Sequence, residues 1–198
     1  MRTILFYGDS NTYGYDPRGM MGGRFSYEQR WTSVVARGLS DSCNIVEAGL
    51  NGRTIPVFPK CEEFMENAIR DLKAGDFMVV MLGTNDILLT SNPDHTKAVE
   101  SMKGLIGWHK GKDRDYRLII TCPVPIADVA PDMTIYHKES LIMNEEFKAL
   151  CKEEGLYCID AGEWNVPVAY DGVHISEEGQ IVFGENMLNS LQDILNKC

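Results

Sequence analysis

The sequence predicts an α/β protein built around a parallel sheet, and three observations carry that reading. Five short, mostly apolar runs punctuate the chain. Segments with helical spacing lie between them, and the glycine- and proline-rich stretches fall where strand-to-helix loops belong. Runs that are apolar throughout suit strands covered on both faces, the usual state of a parallel sheet.

The elements follow in order. The first strand is read at 3–7, where Ile4, Leu5, Phe6 and Tyr7 run up to Gly8. The others are read at 44–47, 77–82, 117–121 and 156–159. Helical spacing joins Trp31, Val34, Val35 and Leu39, then Phe64, Ala68, Ile69 and Leu72. It returns in Val99, Met102, Leu105 and Ile106, and in Leu141, Ile142, Phe147 and Leu150. The last helix carries Ile181, Val182, Met187, Leu188, Leu191 and Ile194. Such alternation argues for right-handed crossovers between parallel strands. Loops at 16–23, 55–59 and 121–131 collect glycine and proline, and no repeat or linker interrupts the pattern. A chain of 198 residues is read as one domain over 1–198. That length buries roughly 70% of the unfolded surface, enough for a full core.

Composition narrows the partners. With 29 acidic and 19 basic residues the net charge is −10, which disfavours nucleic acid and anionic membrane surfaces. The apolar start at Ile4–Tyr7 is too short for a signal peptide, and the run at 77–82 is far below spanning length. Cys43, Cys61, Cys122, Cys151, Cys158 and Cys198 form no CxxC pair and read as reduced thiols, which suits the cytoplasm. His95, His109 and His137 lie in polar helical stretches without ligand spacing, so they read as surface residues and no metal is expected. The glycines form neither a P-loop nor a dinucleotide fingerprint, and no cofactor is expected.

In open α/β sheets ligands bind outside the carboxyl ends of the strands, so the residues that follow strands matter most. Gly8-Asp9-Ser10 follows the first strand. Gly8 permits a tight turn, and Ser10 is either a helix cap or a nucleophile. Asn51-Gly52 follows the second; it is an ordinary turn or a place where a backbone N–H faces a site. Gly83-Thr84-Asn85-Asp86 follows the third, where Asn85 forms a turn or aims its amide at an oxyanion and Asp86 holds the loop. Asp171-Gly172-Val173-His174 precedes the last helix, which starts near Ser176. A carboxylate three residues before a histidine in a tight loop can reach Nδ1 and stabilise the imidazolium.

Together these blocks supply a nucleophile, an oriented base and oxyanion donors, in an order that resembles the SGNH hydrolases, also called GDSL esterases and lipases. Ser10, Gly52, Asn85 and the Asp171/His174 pair match the family's four blocks, and the resemblance spans nearly the whole chain. It implies a three-layer α/β/α sandwich with a five-stranded parallel sheet in the order 2-1-3-4-5. The stretches Gly8 to Tyr15, Arg30-Trp31-Thr32, Gly49 to Thr54 and Met81 to Asp86 look like the bacterial arylesterase and acyltransferase branch. The chain is shorter than that branch between Arg53 and Asp76 and after Asp86, which leaves substrate range and assembly, homo-oligomer included, open. The resemblance implies attack by Ser10 Oγ on an ester, proton transfer through His174 oriented by Asp171, and an oxyanion hole of Ser10 N–H, Gly52 N–H and the Asn85 amide. The expected partner is a small-molecule ester. Tyr13, Tyr15, Phe58, Val124, Trp164 and Val166 are candidate pocket walls for a short acyl chain or aryl alcohol, with plain core packing the alternative. An acyltransferase, a carbohydrate acetylesterase and a non-catalytic module on the same fold are the competing functions.

Overall fold

The computed structural model describes residues 1–19, 22–112 and 114–197. Five parallel strands form the main sheet: β1 (Arg2–Gly8), β2 (Cys43–Gly49), β3 (Phe77–Met81), β4 (Arg117–Cys122) and β5 (Tyr157–Asp160). Their order across the sheet is β2-β1-β3-β4-β5. A two-residue ribbon, Tyr15–Asp16 against Gly23–Arg24, adds a small antiparallel sheet that the sequence reading did not contain. The helices are α1 (Ser10–Tyr13), α2 (Trp31–Gly38), α3 (Glu62–Ala68), α4 (Thr84–Leu88), α5 (Thr96–Lys110), α6 (Thr134–Glu154) and α7 (Glu177–Leu195). Among the described residues no helix is long and apolar enough to cross a membrane.

Strand residues alternate between two cores, because successive side chains leave a strand on opposite faces. Leu5 and Tyr7 of β1, with Met78 and Val80 of β3, join Met65, Leu105, Met143 and Phe147 from α3, α5 and α6. Ile4 and Phe6, with Phe77 and Val79, face Trp31, Val35, Phe183, Met187 and Leu191 from α2 and α7. The layers are therefore helix, sheet and helix, as the resemblance implied.

In three helices the expected apolar face holds, through Ile69, Phe147, Leu150, Met187, Leu191 and Ile194, but one residue assigned to it turns outward. Phe64, Leu141 and Ile181 are exposed by 54%, 44% and 53%, while Met65, Met143 and Phe183 are sealed. A neighbour in sequence lies only about 100° around a helix, so a run of adjacent apolar residues fits two faces until the sheet selects one. His109 is also corrected from surface to interior: it packs on Tyr116 at 5.0 Å, and burial lowers its pKa. His137 is partly buried and its Nδ1 lies 2.6 Å from Ile126 O. His95 lies between Glu139 and Glu146, at 2.5 and 3.3 Å from its two ring nitrogens. Folding thus brings Asp94, His95 and Glu139 within 4.8 Å of one another, a proximity their sequence spacing does not show. Asp94 Oδ1 accepts the Thr96 N–H and Oγ1–H at 2.8 and 2.7 Å. The five described cysteines are free thiols; Cys198 lies outside the described residues.

Phe183 is fully buried and meets both Trp31 and Trp164, at ring separations of 4.9 and 5.1 Å. Phe183→Ala should cost about 3–5 kcal/mol in urea unfolding. A loss below about 1 kcal/mol would show that α7 is not locked to the sheet through this ring.

Candidate active site

The carboxyl ends of β1, β2 and β3 lie level, since Gly8 pairs with both Gly49 and Met81. Loops leaving this edge carry the polar residues. Gly8 turns out to be needed for close approach: a Cβ there would sit 2.0 Å from Thr12 Oγ1. Its φ is not positive, so packing, rather than the backbone freedom of a tight turn, is what calls for glycine here. Asp9 is the residue that caps α1, its carboxylate accepting the Asn11 N–H at 2.9 Å. The serine next to it is thereby left without a capping task, as the first residue of that helix.

Ser10 Oγ lies 3.0 Å from His174 Nε2, across 164 residues of sequence. His174 Nδ1 lies 2.7 Å from Asp171 Oδ2, while Asp171 Oδ1 accepts the backbone N–H groups of Val173 and His174 at 3.0 Å each. Burial opposes the Asp171 charge, but these bonds outweigh it and hold the carboxyl below the ordinary range. The loop is a tight turn with Gly172 at φ 69°, and Ser176 caps α7 directly after it.

The loops after β2 and β3 are bonded to each other, and the β2 loop to the end of β1. Gly52 has φ 73° and open space where a side chain would be, so its left-handed backbone is what calls for glycine. Asn85 Nδ2 spends one of its two N–H bonds on Arg53 O at 3.0 Å. Asp86 accepts the Ile55 N–H, at 3.1 Å to its nearer oxygen, and so ties the β3 loop to the β2 loop, the holding task expected of it. Arg53 donates to Gly8 O at 2.7 Å and also to Ala48 O, with its guanidinium 4.1 Å over the Tyr7 ring.

The candidate pocket walls divide. The Tyr15 ring packs on His174 at 4.6 Å. Tyr13 lies under Arg24, 4.3 Å from its guanidinium. Phe58 stacks on Trp108 at 4.8 Å, and Val124 and Val166 are core residues beneath the sheet. Trp164 meets Phe183 in that same core. Core packing is thus what the structure gives Phe58, Val124, Trp164 and Val166. Sequence alone could not separate the readings, because loops at a sheet edge also cover the core ends. A groove of about 320 Å³ was not anticipated; it runs beside the histidine loop between Asp16, Arg18, Phe25, Tyr170 and Glu177.

The chain belongs to the GDSL-like lipase/acylhydrolase family, whose model matches residues 6–181. Solved structures share its architecture. A protein described as an arylesterase from Agrobacterium tumefaciens is 26% identical with a TM-score of 0.82, covering 98% of this chain and 100% of its own. A carbohydrate acetylesterase from Sinorhizobium meliloti is 25% identical with a TM-score of 0.81, covering 98% and 100%. An aryl esterase from M. smegmatis, 22% identical with a TM-score of 0.81 and covering 98% and 99%, shares the fold. No curated protein sequence matches the chain closely enough to count as a relative. Family and fold together define a carboxylic ester hydrolase.

Two buried carboxylates lie under this edge. Burial pushes Asp9 up to about 7 and Asp86 up to about 6, and the nearby Asp86 charge adds to the rise at Asp9. The folded protein therefore holds the Asp9 proton where the unfolded chain, near its ordinary value of about 4, has released it. Stability should fall as pH rises through that window, because the native state binds more protons than the unfolded state. Asp9→Asn keeps an acceptor for Asn11 N–H and removes the charge. Its stability relative to wild type should improve between pH 5 and pH 8 by on the order of 3 kcal/mol in urea unfolding. A difference independent of pH would show that Asp9 does not titrate there.

Proposed function

We propose that the protein hydrolyses small acyl esters through a Ser10–His174–Asp171 triad and an acyl-enzyme. The observation that carries the reading is the chain of contacts from Ser10 Oγ to His174 Nε2 at 3.0 Å and from His174 Nδ1 to Asp171 Oδ2 at 2.7 Å. In this reading Ser10 Oγ attacks the ester carbonyl and forms a C–O bond while His174 Nε2 takes its proton. The tetrahedral oxyanion is held by the Ser10 and Gly52 backbone N–H groups and the second N–H of Asn85. The intermediate collapses, and the alcohol leaves with the proton from His174. Water, activated by the same imidazole, then attacks the acyl-serine and releases the acid. Asp171 stays ionised, which matches the hydrogen bonds that favour its charge.

The acyl group is small in this proposal. Tyr15 against His174 is the aromatic wall the geometry supports, and the groove beside it is lined by Asp16, Arg18 and Glu177. Those three charges pair with one another, and Pro17, Phe25, Ala169 and Tyr170 supply an apolar lining, so the second reading rests on the likeness to a carbohydrate acetylesterase: an acetyl ester of a polyhydroxylated alcohol. Transfer of the acyl group to an added alcohol would use the same acyl-enzyme. A panel of p-nitrophenyl esters of rising chain length beside acetylated sugars, with products analysed in the presence of alcohol, separates the three.

Ser10→Ala should abolish esterase activity while thermal unfolding stays near wild type. A fluorophosphonate should label Ser10 in the wild type and label His174→Ala far more slowly. Full hydrolysis by Ser10→Ala would end the triad reading. Asn85→Ala should lower kcat by about 10²-fold with the fold retained, the loss expected when one oxyanion donor goes. Unchanged kcat in a folded variant would remove Asn85 from the hole.

A further inference from the structure

We infer that Asn11 is a positioning residue: its side-chain amide clamps the backbone on both sides of His174 and so sets the distance between the imidazole and Ser10. The inference rests on the triad reading above. Asn11 Nδ2 donates to Val173 O at 3.2 Å, and Asn11 Oδ1 accepts the Ile175 N–H at 2.9 Å. Those are the residues immediately before and after His174, and Asn11 immediately follows Ser10. One side chain thus joins the two loops that must meet.

The rest of Asn11 is equally fixed. Its N–H donates to Asp9 Oδ1 at 2.9 Å, its carbonyl accepts the Trp31 indole N–H at 2.9 Å, and it is only 4% exposed. The loop contributes its own bonds to the imidazole's neighbourhood, but these act within the loop. Asp171 bonds Val173 and His174 N–H, and Ala169 N–H donates to His174 O at 2.7 Å. They orient the ring relative to residues 169–174 and cannot set how far that segment stands from α1. Gly172 O accepts the Ala127 N–H at 2.7 Å and Tyr170 OH donates to Pro17 O at 2.8 Å, which tie the loop to other segments, whereas Asn11 ties it to α1 itself, beside Ser10. The clamp needs a donor and an acceptor on one short planar group, which asparagine supplies and an ionised aspartate does not. Loss of the clamp lets the base drift from the hydroxyl it must deprotonate, and a shift of about 1 Å can cost about 10²-fold in rate.

The test compares wild type, Asn11→Ala, Asn11→Asp and His174→Ala by fluorophosphonate labelling rate, by kcat and KM on p-nitrophenyl acetate, and by thermal unfolding. Proton NMR follows the low-field His174 Nδ1–H. Asn11→Ala and Asn11→Asp should slow labelling and lower kcat together by about 10–100-fold, with KM within about threefold of wild type. The Nδ1–H signal should persist in both, since its bond to Asp171 is internal to the loop. Asn11→Asp keeps the side-chain volume and carries the test if Asn11→Ala does not fold. Labelling at the wild-type rate in a folded variant overturns the proposal, as does loss of the Nδ1–H signal or failure of both variants to fold. If wild-type labelling misses Ser10 or ignores His174→Ala, the triad reading itself has failed. If Ser10 labels through His174 while the Asn11 variants label normally, only the positioning role has failed.

Discussion

β1 is the member on which the rest of the structure depends. It is hydrogen-bonded on both sides, to β2 and β3, and its residues from Ile4 to Tyr7 are buried on both faces. A strand in that position cannot shift by one residue, because every side chain would change core. Its end at Gly8 is therefore a fixed point. Ser10 stands two residues beyond it, on a helical turn held by the Asp9 cap and packed close enough to need glycine at position 8. The remaining site loops are built toward that point. Asp86 ties the β3 loop to the β2 loop through Ile55, and Arg53 reaches back to Gly8 O.

Much of this was legible in the sequence, for identifiable reasons. The inner strands β1, β3 and β4 announce themselves because burial on both faces leaves an apolar run with nothing else to be, while the border strands β2 and β5 are only partly buried and show as shorter runs. The motif positions have another logic: they follow strands or precede a helix, and the structure brings Ser10, His174 and Asp171 into one chain of contacts and bonds Asn85 to the β2 loop at Arg53 O. Where reading failed, it failed on properties that exist only in three dimensions. Whether Phe64 or Met65 faces the sheet depends on which helix face the crossover presents. Whether Val124 and Val166 line a pocket or fill a core depends on the depth of a loop. His109 looked polar by its neighbours and is interior by its packing. Asn11 could be quoted from the motif, but its partners sit more than 160 residues away, and no local pattern marks a side chain that bonds to distant backbone.

The site also shows a division of labour between local and distant bonds. Asp171 and His174 are three residues apart, so their geometry is set by one turn and survives small movements of the domain around it. Ser10 is brought to them by the sheet, and that junction rests on contacts of long sequence separation. The histidine loop thus carries its own orientation, while its distance from the serine belongs to the tertiary fold.

Glu47 has a consequence of another kind. It sits near the end of β2, a strand paired only with β1 among the main strands, and binds Arg24, Arg30 and Thr32. At the opposite border, Asp160 of β5 is paired with Lys148 at 2.8 Å. Each open border of the sheet therefore ends in a carboxylate already engaged by its own chain. A foreign strand adding there would have to strip or bury that charge, and ionic groups on an edge are a standing obstacle to such addition. The same ion pairs that fasten the loops thus also place charge at both borders, where an added strand would meet it.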